Sequence, residues 1–220
     1  MDLLIRVFPL LLMGVGMTLK IVFFASLISF ILGTFMGVLS CERLKIPILS
    51  NLINLITFVL RAIPFFVQLL LVYFVLPDLI GINLSVLSSS YLALGLCSSG
   101  YVCQIVRAGI NSISVTQWEA AFSLGYNMRH TLFYVIIPQM FRNVLPAFNN
   151  EFESILKSTA ICSSIGLLEL TRIGMNIVSR ESQDPLIIYL LVAAFYLALS
   201  LVINIGAKFL ERKLYYKVRS

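Results

Sequence analysis

Apolar positions in this chain neither alternate nor recur every third or fourth residue as on a soluble amphipathic helix. They run on for about 20 residues or longer before charges interrupt them. At 1.5 Å of rise per residue, a helical run of about 20 crosses a hydrocarbon core of about 30 Å. Alternating ten-residue segments are absent, so the pattern predicts spanning helices and not a barrel. It places five spans at 15–40, 50–76, 84–106, 136–157 and 186–210, giving an all-α polytopic membrane protein with one domain over 1–220.

Two spans depart from a plain apolar run. Arg61 and Pro64 interrupt the second, and Pro64 predicts a kink or a helix start because proline removes one backbone donor. The fourth carries Arg142, Asn143, Asn149, Asn150, Glu151, Glu153 and Lys157, too polar a set for a helix facing lipid. Asn150, Glu153, Ser154 and Lys157 fall at i, i+3, i+4 and i+7, on one helical face. With entry near Ile136, Asn150 lies roughly 20 Å in and Lys157 roughly 30 Å. Charges at such depth require protein, a partner charge or a water-filled cavity, which marks the face as a substrate path. A structural Glu153–Lys157 pair is the competing reading.

Composition agrees: 60% of residues are hydrophobic and only 12% charged. The 16 Lys and Arg against 10 Asp and Glu cluster at span ends, which gives no reason to expect a nucleic acid partner. Arg43 and Lys45, then Arg107 and Arg129, then Lys208, Arg212, Lys213, Lys217 and Arg219 all fall on one side of a five-span chain. Positive charge favours the cytoplasm, so the N-terminus is expected outside and the C-terminus inside. No small-x-small cleavage site follows the first apolar run, which reads as a retained helix. Cys41, Cys97, Cys103 and Cys162 show no metal-ligand spacing and read as small packing residues. Gly33 and Gly37, in GTFMG, allow close helix approach, favouring contact within the chain over a dimer contact.

Between the third and fourth spans stands EAAFSLGYNMRHTLFYVIIPQ, Glu119 to Gln139. Thr116 followed by Glu119 fits a capping box, starting a helix near Gln117. Gly125 suits a left-handed helix end, and Asn127 caps a second helix running through Tyr134 toward Pro138. Residues 116–134 thus form a cytoplasmic elbow, in which Trp118 reads as an interfacial anchor and His130 as a solvated residue. A passive connector between spans is the bland alternative. No GxxxxGK[ST] phosphate loop and no nucleophile with a base are present in the sequence, so the chain reads as not an enzyme and as binding no cofactor itself.

The elbow resembles the EAA motif of ABC importer permeases: Glu119, Ala120, Ala121 and Gly125 match, followed by Val135, Ile137 and Pro138, with Val and Ile where Ile and Leu are usual. FVLRAIPFFVQLLLVYFVLP, IVRAGINSI and NEFESILKSTAICSSIGLLELTR extend the resemblance to permeases of polar amino acid importers over nearly the whole chain. It implies a type I importer fold, with Glu119, Ala120, Ala121, Leu124 and Gly125 as a coupling helix docking in a cytoplasmic ATPase subunit that uses ATP. It also implies a second permease copy or homologue, an extracytoplasmic solute-binding protein, and a polar amino acid as substrate. Glu153, where the family pattern more often has an apolar residue, puts basic solutes such as arginine first. An ATP-independent channel or secondary transporter subunit is the alternative.

Overall fold

The computed structural model describes residues 2–44, 47–181 and 184–216. The chain runs through α1 (Asp2–Leu39), α2 (Pro47–Ala62), α3 (Phe65–Leu70), a π-helical turn (Leu71–Val75), α4 (Leu76–Ile80), α5 (Val86–Asn111) and α6 (Val115–Ser123). It continues through α7 (Met128–His130), a second π-helical turn (Thr131–Ile136), α8 (Ile137–Ser158), a 3-10 segment (Thr159–Ile165), α9 (Leu170–Glu181) and α10 (Pro185–Tyr216). The described residues contain no strand.

Three helices, α1, α5 and α10, are long and apolar enough to cross a bilayer alone; the number reaches five when each of two bent pairs is one span. The second span is such a pair: Pro47–Ala62 and Phe65–Ile80 meet at 101°, far more than a kink. Pro64 has ψ 137° and no N–H to continue α2. The carbonyls freed there are taken up by Gln68, whose Nε2 donates to Leu60 O at 2.7 Å and Ile63 O at 2.8 Å. The backbone carbonyls at this sharp break are thereby satisfied from within the chain.

The helix that carries the fourth span begins at Met128 and continues through the second π turn into α8. Both π turns end just ahead of a proline, Pro77 and Pro138. A proline removes the N–H that the preceding turn would have received, and a widened turn accommodates the loss. At its far end this helix meets α9 at 46° after Gly166, which has φ +86°.

α1 also starts well before residue 15. Its first turns are held by protein: buried Val7 and Leu11 pack with Leu170 and Ile177 of α9 and Ile188 and Val192 of α10. Farther along, α1 lies against α5, its most extensive neighbour. A Cβ on Gly33 would sit 2.5 Å from Val102 Cβ, and one on Gly37 2.7 Å from Val106 Cβ, so GTFMG is an intramolecular seam. The four cysteines are buried free thiols. Of the charges that orient the chain, Lys45, Lys217 and Arg219 lie outside the described residues.

Candidate functional site: the elbow and the polar face of α8

The elbow is built by local backbone chemistry. Ser114, not Thr116, caps α6: its Oγ accepts from Thr116 N at 3.3 Å, and the helix begins at Val115. The expected Thr116–Glu119 capping box does not form; α6 begins two residues earlier than the sequence reading has it, and Ser114 takes the role. The other end follows expectation. Gly125 has φ +82°, with Gly125 N donating to Phe122 O at 2.9 Å and Tyr126 N to Ala121 O at 3.1 Å, the bond pair of a Schellman motif. Asn127 then caps α7, accepting from His130 N at 3.0 Å.

α6 has two unlike faces. Trp118 is 1% exposed and does not anchor at a lipid interface. It packs with Cys41, Ile113, Leu132 and Ile136, while the Arg43 guanidinium lies 5.3 Å from its ring centroid, a cation–π contact. Ala121 is buried beside it. The indole thus fastens α6 to the end of α1 and to the helix leading into α8. Glu119, Ala120, Phe122 and Leu124 face outward, Leu124 at 77% exposure, and nothing lies within 4 Å of a Cβ built on Gly125. Val115, Tyr126 and Met128 add exposed apolar surface beside them. A nine-residue helix with an open apolar face is too short to stand alone in water, and here one side of it is already braced. His130 is exposed and stacks on Tyr134, ring centroids 5.6 Å apart.

On α8 the four selected residues separate. Asn150, Ser154 and Lys157 are exposed, in line with Asn143, which lies two turns before Asn150. Glu153 is turned toward α10: its carboxylate accepts from Lys157 Nζ at 3.1 Å and from Asn204 Nδ2, and Asn204 Oδ1 in turn accepts from Asn149 at 2.8 Å. The Glu153–Lys157 pair therefore exists, with the lysine side chain 65% exposed and the glutamate 18%. A pair this open contributes little stability. It leaves a carboxylate and an ammonium side by side at the edge of an exposed polar stripe. Nearer the elbow, Gln104 and Ala108 of α5, Ser112 just after it, and Asn143 and Ala147 of α8 line an open groove of about 430 Å³.

The sequence reading did not single out several residues that hold this face in place. Ser29 Oγ donates to Ser98 Oγ at 2.8 Å, and Ser98 Oγ to Glu151 Oε1 at 2.5 Å, so a buried polar chain ties α1, α5 and α8 together. Arg107 donates to Asn54 and Gln104, pinning α2 to α5. Glu169, 0% exposed, accepts from Thr171 N, Arg172 N and Tyr196 OH, capping α9 and joining it to α10. One signal was available for Glu151: it follows Asn150 by one residue, about 100° around the helix, and so points away from the stripe.

Membrane-length helices, an exposed polar stripe on one of them and a braced apolar elbow describe a multi-pass membrane protein. Residues 29–216 match the family described as "Binding-protein-dependent transport system inner membrane component", and the chain belongs to that family. It is 35% identical over 208 residues to the "Arginine transport system permease protein ArtQ" of Bacillus subtilis (strain 168), covering 94% of this chain and 93% of that one. It is 33% identical over 201 residues to the "Probable glutamine ABC transporter permease protein GlnP" of the same organism, covering 90% of each. The solved structure described as "Crystal structure of an amino acid ABC transporter with histidines" superposes with a TM-score of 0.84 at 35% identity, covering 96% of both chains.

Proposed function

We propose that this chain is the permease subunit of an ATP-driven importer of polar amino acids, with basic ones such as arginine ahead of neutral ones. The observation that carries the reading is the exposed polar stripe of Asn143, Asn150, Ser154 and Lys157 along α8. A polar face at membrane depth needs a second wall, and a second permease copy or a homologue supplies it. The relatives named for arginine and glutamine transport support the substrate class.

The open face of α6 is where a cytoplasmic ATPase subunit docks; that partner binds and hydrolyses ATP, and this chain binds no cofactor. Docked motion passes through Trp118 to α1 and through the helix from Met128 into α8. An external binding protein delivers the solute on the side of the N-terminus, with the C-terminus in the cytoplasm. Along the path, Asn150 and Lys157 offer donors to the amino acid carboxylate. Glu153, already bonded to one ammonium, exchanges it for the cationic side chain of a basic solute.

The test is uptake into vesicles carrying the chain with its ATPase and binding protein, with and without ATP. Glu153→Gln is expected to lower arginine uptake at least tenfold and glutamine uptake less than twofold. An equal fall in both, or uptake without ATP, rejects the reading.

A further inference from the structure

A second feature of α8 lies on the side away from the polar stripe. Leu145 follows Asn143 by two residues and Phe152 follows Asn150 by two, a rotation of about 200°. On that side α1, α8 and α10 leave an open apolar groove. One part, about 460 Å³, is lined by Phe30, Phe141, Leu145, Phe148 and Leu210, with Arg142 in its wall. Phe30 and Phe152 also line a neighbouring part of about 640 Å³ that extends along α1 to Leu19. Along α8 the first part runs from Arg142 to Phe152, about 15 Å of helix, close to the half of a ~30 Å hydrocarbon core that one lipid leaflet occupies.

We propose that this groove holds an acyl chain of an anionic glycerophospholipid whose phosphate is bound by Arg142. The part that Arg142 lines is one leaflet long and almost wholly apolar, with the guanidinium at one end; among the described residues Arg142 has neither an ion pair nor a hydrogen-bond partner. A guanidinium binds a phosphate by two parallel hydrogen bonds, and its low hydration suits a site at the edge of hydrocarbon. The same end of α10 carries Lys208, Arg212 and Lys213 around Leu210, against the single carboxylate Glu211. That charge balance attracts an anionic headgroup. A second permease copy is the weaker occupant, because the stripe that needs a second wall faces the opposite way. Lys20 flanks the far end of the groove without lining it.

The test uses the full chain, purified in detergent and stripped of lipid, titrated with phosphatidylglycerol or with phosphatidylcholine of the same acyl composition and read by native mass spectrometry. Wild type is expected to retain one phosphatidylglycerol about fivefold more tightly than phosphatidylcholine, the ~1 kcal/mol of one arginine near an anionic surface. Arg142→Gln removes the preference, Arg142→Lys keeps it, Lys20→Gln leaves it unchanged, and Leu145→Trp, which fills the groove, weakens both lipids. Equal retention of the two lipids by wild type overturns the proposal whether or not any variant folds. So does a preference that survives Arg142→Gln or disappears in Lys20→Gln. Conversion of a dimer to a monomer by Leu145→Trp would also overturn it, by assigning the groove to a second copy.

Discussion

α5 and α10 are both membrane-length helices, yet 56% of the apolar stretch of α5 is buried inside the protein and only 11% of that of α10. Their compositions run opposite to what a soluble bundle would show. The buried helix is the one studded with small and polar residues: Ser89, Ser90, Gly95, Ser98, Ser99 and Cys103 are all covered. The peripheral helix turns Leu190, Leu197, Leu201, Val202 and Phe209 outward. Lipid tails are as apolar as leucine, so burying a leucine gains little from solvent; close approach and internal hydrogen bonds hold the bundle instead. α5 is central because its surface is small and can bond, and α10 is peripheral because its surface is large and cannot.

The sharpest way to break this contrast is to thicken the seam that α5 makes with α1. Gly33→Leu forces a side chain into Val102 and should cost about 3 kcal/mol, or leave no folded protein to recover. Gly16→Leu on the same helix meets nothing within 4 Å and should leave the unfolding temperature in detergent nearly unchanged. Equal behaviour of the two would remove the seam as an explanation. A smaller effect is expected from Ser98→Ala, which takes the donor from Glu151 and strands Ser29; about 2 kcal/mol should be lost in thermal unfolding.

α10 offers the converse test, since few polar contacts tie it down. Tyr196→Phe deletes the bond to Glu169 and should cost about 1.5 kcal/mol, with faster amide exchange in both α9 and α10. Leu201→Ala, on the open face, should change stability by less than about 0.5 kcal/mol. A loss there as large as at Ser98 would mean that packing against another protein, and not lipid, covers that surface.

What could be read in the sequence was governed by range. The left-handed turn at Gly125, the cap at Asn127 and the break at Pro64 are set by residues a few positions apart, and each appears where the local chemistry puts it. Ser29, Ser98 and Glu151 stand 69 and 53 positions from their successive partners, and Asn204 stands 51 from Glu153. No pattern along the chain announces such meetings. Trp118 misled for a related reason: an aromatic residue near a membrane surface has the same sequence context whether it faces lipid or is covered by Arg43 and Cys41. The polar run of α8 was legible as a run, and helical spacing set Glu151 off its open face, but not the partners that cover Glu151 and Glu153.

The widened turn at Thr131–Ile136 has a consequence for how the chain tolerates insertions and deletions. A π turn holds one residue more than an α turn, so everything before it is rotated by about 100° relative to an unbroken helix. The open face of α6 and the polar stripe of α8 are therefore indexed to each other by a single amino acid. Removing one residue from this turn, with Pro138 replaced so that a regular helix could form, would leave every side chain of the elbow and of the stripe intact and aim them in different directions. The length of this turn, more than its sequence, sets the phase between the two working surfaces.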